Sequence, residues 1–172
     1  KKLLELNFNY IAWVDTDIKF LTTNWPKKVV SKLDEYDVVQ LFHHTYKETI
    51  DEKYIFSSSV GSTLPNTSLE DNINQLLSRR GELGYGYAYR ANIMKNMLLY
   101  DKAIVGAGDM LNILGLMHGD HLERVLPHDR YFRGCHPEFI KDFLGWSKTI
   151  PRVAKVGYCN INILTKYHGE LS

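Results

Sequence analysis

Asp15-Thr16-Asp17 follows directly on the apolar run Tyr10-Ile11-Ala12-Trp13-Val14, so two carboxylates stand at the exit of what reads as a buried strand. Residues two apart on an extended chain project to the same side, and this pair could grip one cation from the edge of a sheet. Hard divalent ions such as Mg²⁺ and Mn²⁺ favour oxygen ligands and leave positions open for phosphate oxygens, which makes phosphate the first substrate element to look for. The same acids also fit a solvated turn at a strand end. A third carboxylate, Asp109, opens the apolar helical stretch Met110 to Met117 after Gly106-Ala107-Gly108. A helix start stabilises its charge, and by itself it reads as a plain N-cap.

The elements that must position these groups can be read from periodicity. Asn24 stands where it can cap a helix, and Pro26 is tolerated in a first turn because its missing donor is not needed there. Val29, Val30, Leu33 and Tyr36 follow at helical spacing, and Val38-Val39-Gln40-Leu41-Phe42 is a short β-branched run suited to a buried strand. The order is strand, helix, strand. Residues 43–80 lose clear periodicity and read as a variable excursion, with a short helix from Leu69 to Leu77. Gly84-Tyr85-Gly86-Tyr87-Ala88-Tyr89-Arg90 interleaves glycine with aromatics, so the backbone could approach a ligand closely while alternating tyrosines face one pocket. Helix-forming composition follows from Ala91 to Tyr100 and again from Pro137 to Leu144. A last strand, Val153 to Leu164, leads to Tyr167-His168-Gly169.

The 172 residues suit one domain with a single core. A formal charge of +1 and ordinary proportions of apolar and charged residues give no reason to expect nucleic acid or an acidic membrane surface. The 11 tyrosines fit sugar rings, and equally an aromatic core with polar rims. Cys135 and Cys159 lie far apart without CxxC spacing, so neither a zinc knuckle nor a disulfide framework is indicated and a reducing, cytoplasmic compartment is expected. No apolar run approaches the roughly 18 residues needed to span a bilayer. The opening Lys1-Lys2-Leu3-Leu4-Glu5-Leu6 is too short and too quickly charged for a signal peptide, and reads as the last turns of a helix.

Taken in order, these pieces resemble the second half of a GT-A glycosyltransferase, the nucleotide-sugar-dependent fold with a DxD metal motif. The resemblance runs from Tyr10 to Gly169. It is carried by Ile11-Ala12-Trp13-Val14-Asp15-Thr16-Asp17, Gly86-Tyr87-Ala88-Tyr89-Arg90, the segment from Leu99 to Asp109, and Tyr167-His168-Gly169. It implies an α/β, Rossmann-like mixed sheet flanked by helices, forming one partial domain over residues 1–172. In that family a βαβ half carrying the nucleobase pocket precedes the DxD strand. Here about a dozen residues do, so the expectation is a chain shortened at its N-terminus, with the missing half or a partner chain covering the exposed strand edge.

The resemblance further implies a sugar transferred from a nucleoside-diphosphate donor to a carbohydrate or other hydroxyl acceptor, with inversion. Asp15 and Asp17 would hold Mn²⁺ or Mg²⁺ against the diphosphate, with Asp17 the more direct ligand, and His168 would complete the shell. An imidazole ligand tilts the site toward Mn²⁺. Asp109 falls where inverting members place a base, although the usual acidic neighbour is Gly108 here. Gly86, Tyr87 and Tyr89 would line the donor or acceptor site, together with Trp25 and Trp146, and Arg90 would meet either a phosphate or a helix-flanking acid. Asp120 with His118 and His121 reads as a solvated helix terminus, not a metal site. Two rivals stand beside this reading. A haloacid-dehalogenase-like phosphohydrolase would use Asp15 and the segment Gly108-Asp109-Met110-Leu111-Asn112, but Ile18-Lys19 replaces the small residue and threonine expected after its second acid. A sugar- or nucleotide-binding remnant would keep the fold without turnover.

Overall fold

In the computed structural model, which describes residues 5–51, 53–63, 81–97, 99–103, 108–116, 120–126, 132–150 and 154–166, the strand ahead of the two acids is β1 (Tyr10–Val14). Beyond them come β2 (Ile18–Phe20), α1 (Trp25–Leu33), β3 (Val38–Gln40), β4 (His44–Glu48), β5 (Tyr54–Ser58) and α2 (Val60–Thr63). The second half contains β6 (Gly86–Arg90), α3 (Ala91–Met97), α4 (Gly108–Leu116), α5 (Asp120–Val125) and a 3₁₀ turn at Phe132–Gly134. It closes with α6 (Pro137–Ser147), β7 (Val156–Tyr158) and β8 (Asn162–Thr165).

The architecture is mixed α/β, with two four-stranded mixed sheets ordered β1-β6-β3-β7 and β2-β8-β4-β5. In the first, β6 runs antiparallel to both β1 and β3, while β3 and β7 are parallel. In the second, β8 is antiparallel to β2 and parallel to β4, which forms an antiparallel pair with β5. The chain passes from the first sheet into the second three times, at Asp15–Asp17, Leu41–His43 and Cys159–Ile161. Backbone pairing continues through these corners. Asp15 N donates to Tyr85 O at 3.1 Å, Leu41 N to Gly86 O at 3.1 Å, Cys159 N to Gln40 O at 2.9 Å and His43 N to Ile161 O at 2.7 Å.

Side-chain alternation divides the core between the two faces of the first sheet. Val38, Tyr87 and Tyr89 face a large cluster built with Met110, Leu111 and Leu114 of α4 and Phe143 of α6. Val39 and Ala88 face a smaller one with Val29 and Leu33 of α1. Gly115 lets α6 lie close: a Cβ there would stand 2.0 Å from Trp146 Cζ3.

Several expectations change. Asn24 holds the N-cap position of α1, but its side chain makes no capping bond and instead accepts from Thr22 Oγ1 at 2.6 Å. The segment from Val38 to Phe42 is a strand only to Gln40, because Leu41 and Phe42 turn the corner between sheets. Within residues 43–80, His44–Glu48 and Tyr54–Ser58 form a regular hairpin. The helix expected from Leu69 to Leu77 lies outside the described residues. The helix expected to reach Tyr100 ends at Met97, and the Tyr100 amide donates to Asn112 Oδ1 at 2.8 Å. The single strand expected from Val153 to Leu164 is two, divided at the third corner. Among the described residues no helix is long and apolar enough to cross a membrane.

Candidate active site

Asp15 sits at the first corner, where β1 leaves its sheet. Its neighbours orient both carboxylate oxygens: Trp13 Nε1 donates to Oδ1 at 3.3 Å and the Tyr85 amide donates to Oδ2 at 3.2 Å. An ionised carboxylate offers about four lone-pair sites, so these two bonds fix its direction and leave capacity for a further ligand. Asp17, two residues on, is half-buried, and its carbonyl accepts from Lys166 N at 3.3 Å as β8 finishes beside β2. The end of β8 is thereby held at the DxD corner. His168 lies outside the described residues. Among the described residues no group of three or more His, Cys, Asp or Glu side chains could hold a metal.

Asp109, in the first turn of α4, arrives from the other side. A Cβ built on Gly84 would stand 3.3 Å from Asp109 Oδ2, so the missing side chain at Gly84 admits the carboxylate against the backbone. Burial pushes Asp109 up from 3.8 to about 6, and the nearby Asp15 charge adds to the effect. The helix start would favour the anion, yet desolvation and a second acid outweigh it here. The two carboxylates, distant in sequence, therefore share one electrostatic environment at the corner.

The connecting piece is the segment from Gly81 to Tyr85, anchored on every side. Buried Gln40 donates through Nε2 to Glu82 O at 2.7 Å and to Gly84 O at 3.4 Å, while its Oε1 accepts from Gly61 N at 3.0 Å. Glu82 pairs with Lys47 at 2.7 Å, and Tyr87 Oη donates to Leu83 O at 2.6 Å. Tyr85 has φ +74°, and its ring packs edge-on against Phe42, with Lys47 Nζ 5.7 Å from its centroid. Sequence reasoning missed Tyr85, Lys47, Glu82 and Gln40 as contributors. The only signals were a tyrosine squeezed between two glycines and a lone amide ending an apolar strand.

Other expected site residues are placed elsewhere. Tyr87 and Tyr89 do not face a ligand: they are 1% and 0% exposed in the core beneath α4, because β6 is the second strand of the first sheet and not a loop. Burial raises both phenols, with a contribution from Asp109, and the Tyr89 hydroxyl has no hydrogen-bond partner among the described residues. Gly86 serves strand packing, since a Cβ there would lie 2.9 Å from Trp13 O. Arg90 is at the far end of β6, opposite Tyr10, about 13 Å from the Asp15 end. Its Nε donates to Leu33 O at 2.6 Å and its Nη2 to Asp34 O at 2.7 Å, closing the C-terminus of α1. Trp25 stacks on Phe20 at 4.1 Å and Trp146 packs on α4, so both are structural.

Asn112, which a phosphohydrolase reading would require near the acids, donates to Gly108 O at 2.8 Å and accepts from Tyr100 N. Both ends of its amide are thus engaged by backbone. Comparisons of the chain with protein-family models, with curated proteins and with solved structures return no match.

Proposed function

We propose that this chain is a metal-dependent glycosyltransferase that moves a sugar from a nucleoside-diphosphate donor to an acceptor hydroxyl, with inversion. One observation carries the reading: Asp15 and Asp109, 94 positions apart in the sequence, are brought to adjacent residues, Asp109 against Gly84 and Asp15 on the Tyr85 amide, at a corner where the end of β8 is bonded to Asp17. His168 follows Lys166 by two residues in the sequence. Two carboxylates and an imidazole suit Mn²⁺ or Mg²⁺, with the nitrogen favouring Mn²⁺.

Asp15 and Asp17 would hold the cation, and His168 would complete its shell. The chemistry such an ion supplies when bound is neutralisation of the charge developing on the departing diphosphate. Asp109 would take the proton of the attacking acceptor hydroxyl through a carboxylate oxygen, a role helped by a pKa lifted toward the working pH. The burial that lifts it also keeps bulk water from levelling its basicity.

The test is hydrolysis and transfer with Mn²⁺ and a panel of nucleotide sugars, reading release of nucleoside diphosphate. Asp109→Asn should lower turnover by about 10²- to 10⁴-fold while leaving donor binding in place. Unchanged turnover removes Asp109 from the role of base. No release from any donor, with donor still bound, would instead make the chain a binding module.

A further inference from the structure

The geometry points to Tyr85 as a positioning residue for Asp15, held in a left-handed backbone conformation so that its amide fixes the carboxylate. The inference rests on reading Asp15 as a cation ligand. Two residues other than glycine have positive φ among those described, Asn7 at +52° and Tyr85 at +74°. Asparagine tolerates that region, whereas for a bulky residue it is strained and persists only when the surroundings impose it.

The surroundings at Tyr85 do impose it. Upstream, Gln40 clamps the carbonyls of Glu82 and Gly84. Downstream, β6 begins at once and is paired on both sides. The ring is wedged against Phe42 and under the Lys47 ammonium. The product of this strain is a reciprocal pair of bonds with one residue: Asp15 N donates to Tyr85 O at 3.1 Å, and Tyr85 N donates to Asp15 Oδ2 at 3.2 Å. With Trp13 on Oδ1 at 3.3 Å, the carboxylate is held from both ends. Partners that orient a metal-binding carboxylate in this way typically govern affinity by about 10- to 100-fold.

Two variants that both lose the ring separate backbone from side chain. Tyr85→Asn accepts the left-handed conformation and should keep Mn²⁺ affinity, measured calorimetrically with Mn²⁺ alone, within about twofold of the parent. Tyr85→Val, β-branched and excluded from that region, should lose about tenfold or more. Equal affinities for the two variants would overturn the proposal. A second arm needs no metal: hydrogen exchange at the Tyr85 amide should accelerate by about tenfold or more in Asp15→Ala, since its acceptor is gone. Unchanged exchange also overturns the proposal. If the parent protein binds no Mn²⁺, the cation reading falls by itself and the exchange arm alone decides whether Tyr85 orients Asp15.

Discussion

Replacing Asp109 by asparagine should make the protein more stable at neutral pH and leave it unchanged in acid. The folded state holds the Asp109 proton up to about pH 6, whereas the unfolded chain releases it near 3.8. Between those values the folded state binds more protons, so stability falls as pH rises through the window. The penalty is absent below about pH 3.8, grows to about pH 6 and is complete above it. At about 1.4 kcal/mol per pH unit the displacement caps the penalty at about 3 kcal/mol, and water reaching the half-buried carboxylate screens it to about 1 to 2 kcal/mol. For a domain of this size that is a rise of about 3 to 6 °C in Tm for Asp109→Asn at pH 7.5, and none at pH 3.5. Thermal unfolding of both proteins across that range measures it. Parallel stability curves would show that Asp109 ionises as freely in the fold as in the unfolded chain, which removes the buried-acid argument. Saturating Mn²⁺ should narrow the gap, because a cation beside Asp15 cancels the repulsion that contributes to it.

Three further outcomes follow from the placement of single residues. Asp17→Asn should abolish Mn²⁺-dependent UDP binding in calorimetry, and intact binding would remove Asp17 from the ligand set. Arg90→Ala should cost about 1 to 3 kcal/mol in urea unfolding, since two α1 carbonyls lose their donors, while leaving donor binding untouched. A large loss of donor affinity at unchanged stability would return Arg90 to the binding site. Gly115→Ala should destabilise by about 1 to 3 kcal/mol through collision with Trp146, and Trp146→Leu should relieve it in a double-mutant cycle.

Much of the order of elements is legible in the sequence because it rests on local signals. Pro26 and the Val29/Leu33 spacing mark α1, the apolar run marks β1, and Gly108-Asp109 marks the start of α4. What local signals do not carry is which face a strand turns to the core. Tyr85, Tyr87 and Tyr89 look equivalent at period two, yet Tyr87 and Tyr89 lie under α4 and Tyr85 does not, because the strand begins at Gly86. Arg90 is a similar case: its partners are carbonyls of a helix more than 50 positions earlier, invisible to any local pattern. The β4–β5 hairpin was hidden by its polar composition, with His44, Thr45, Lys47 and Glu48 in one strand and Ser57 and Ser58 in the other. The meeting of Asp15 with Asp109 depends on Gly84, whose lack of a side chain gains meaning only once both chain segments are in place.

Two unfavourable features of this molecule lie together at the first corner. Many buried polar groups have ordinary partners: Gln40 is bonded at both ends, Asn112 is bonded at both ends, and Asp37 Oδ2 accepts from Lys155 N at 2.9 Å, whereas Thr45 Oγ1, Ser57 Oγ and Tyr89 Oη have none among the described residues. At the first corner a tyrosine holds φ +74°, one acid is pushed up to about 6, and a second acid faces it. Asparagine at 85 and an amide at 109 would relax both. On the proposed reading, a cation held by Asp15 would offset the electrostatic part of that cost and leave the backbone strain at Tyr85 in place.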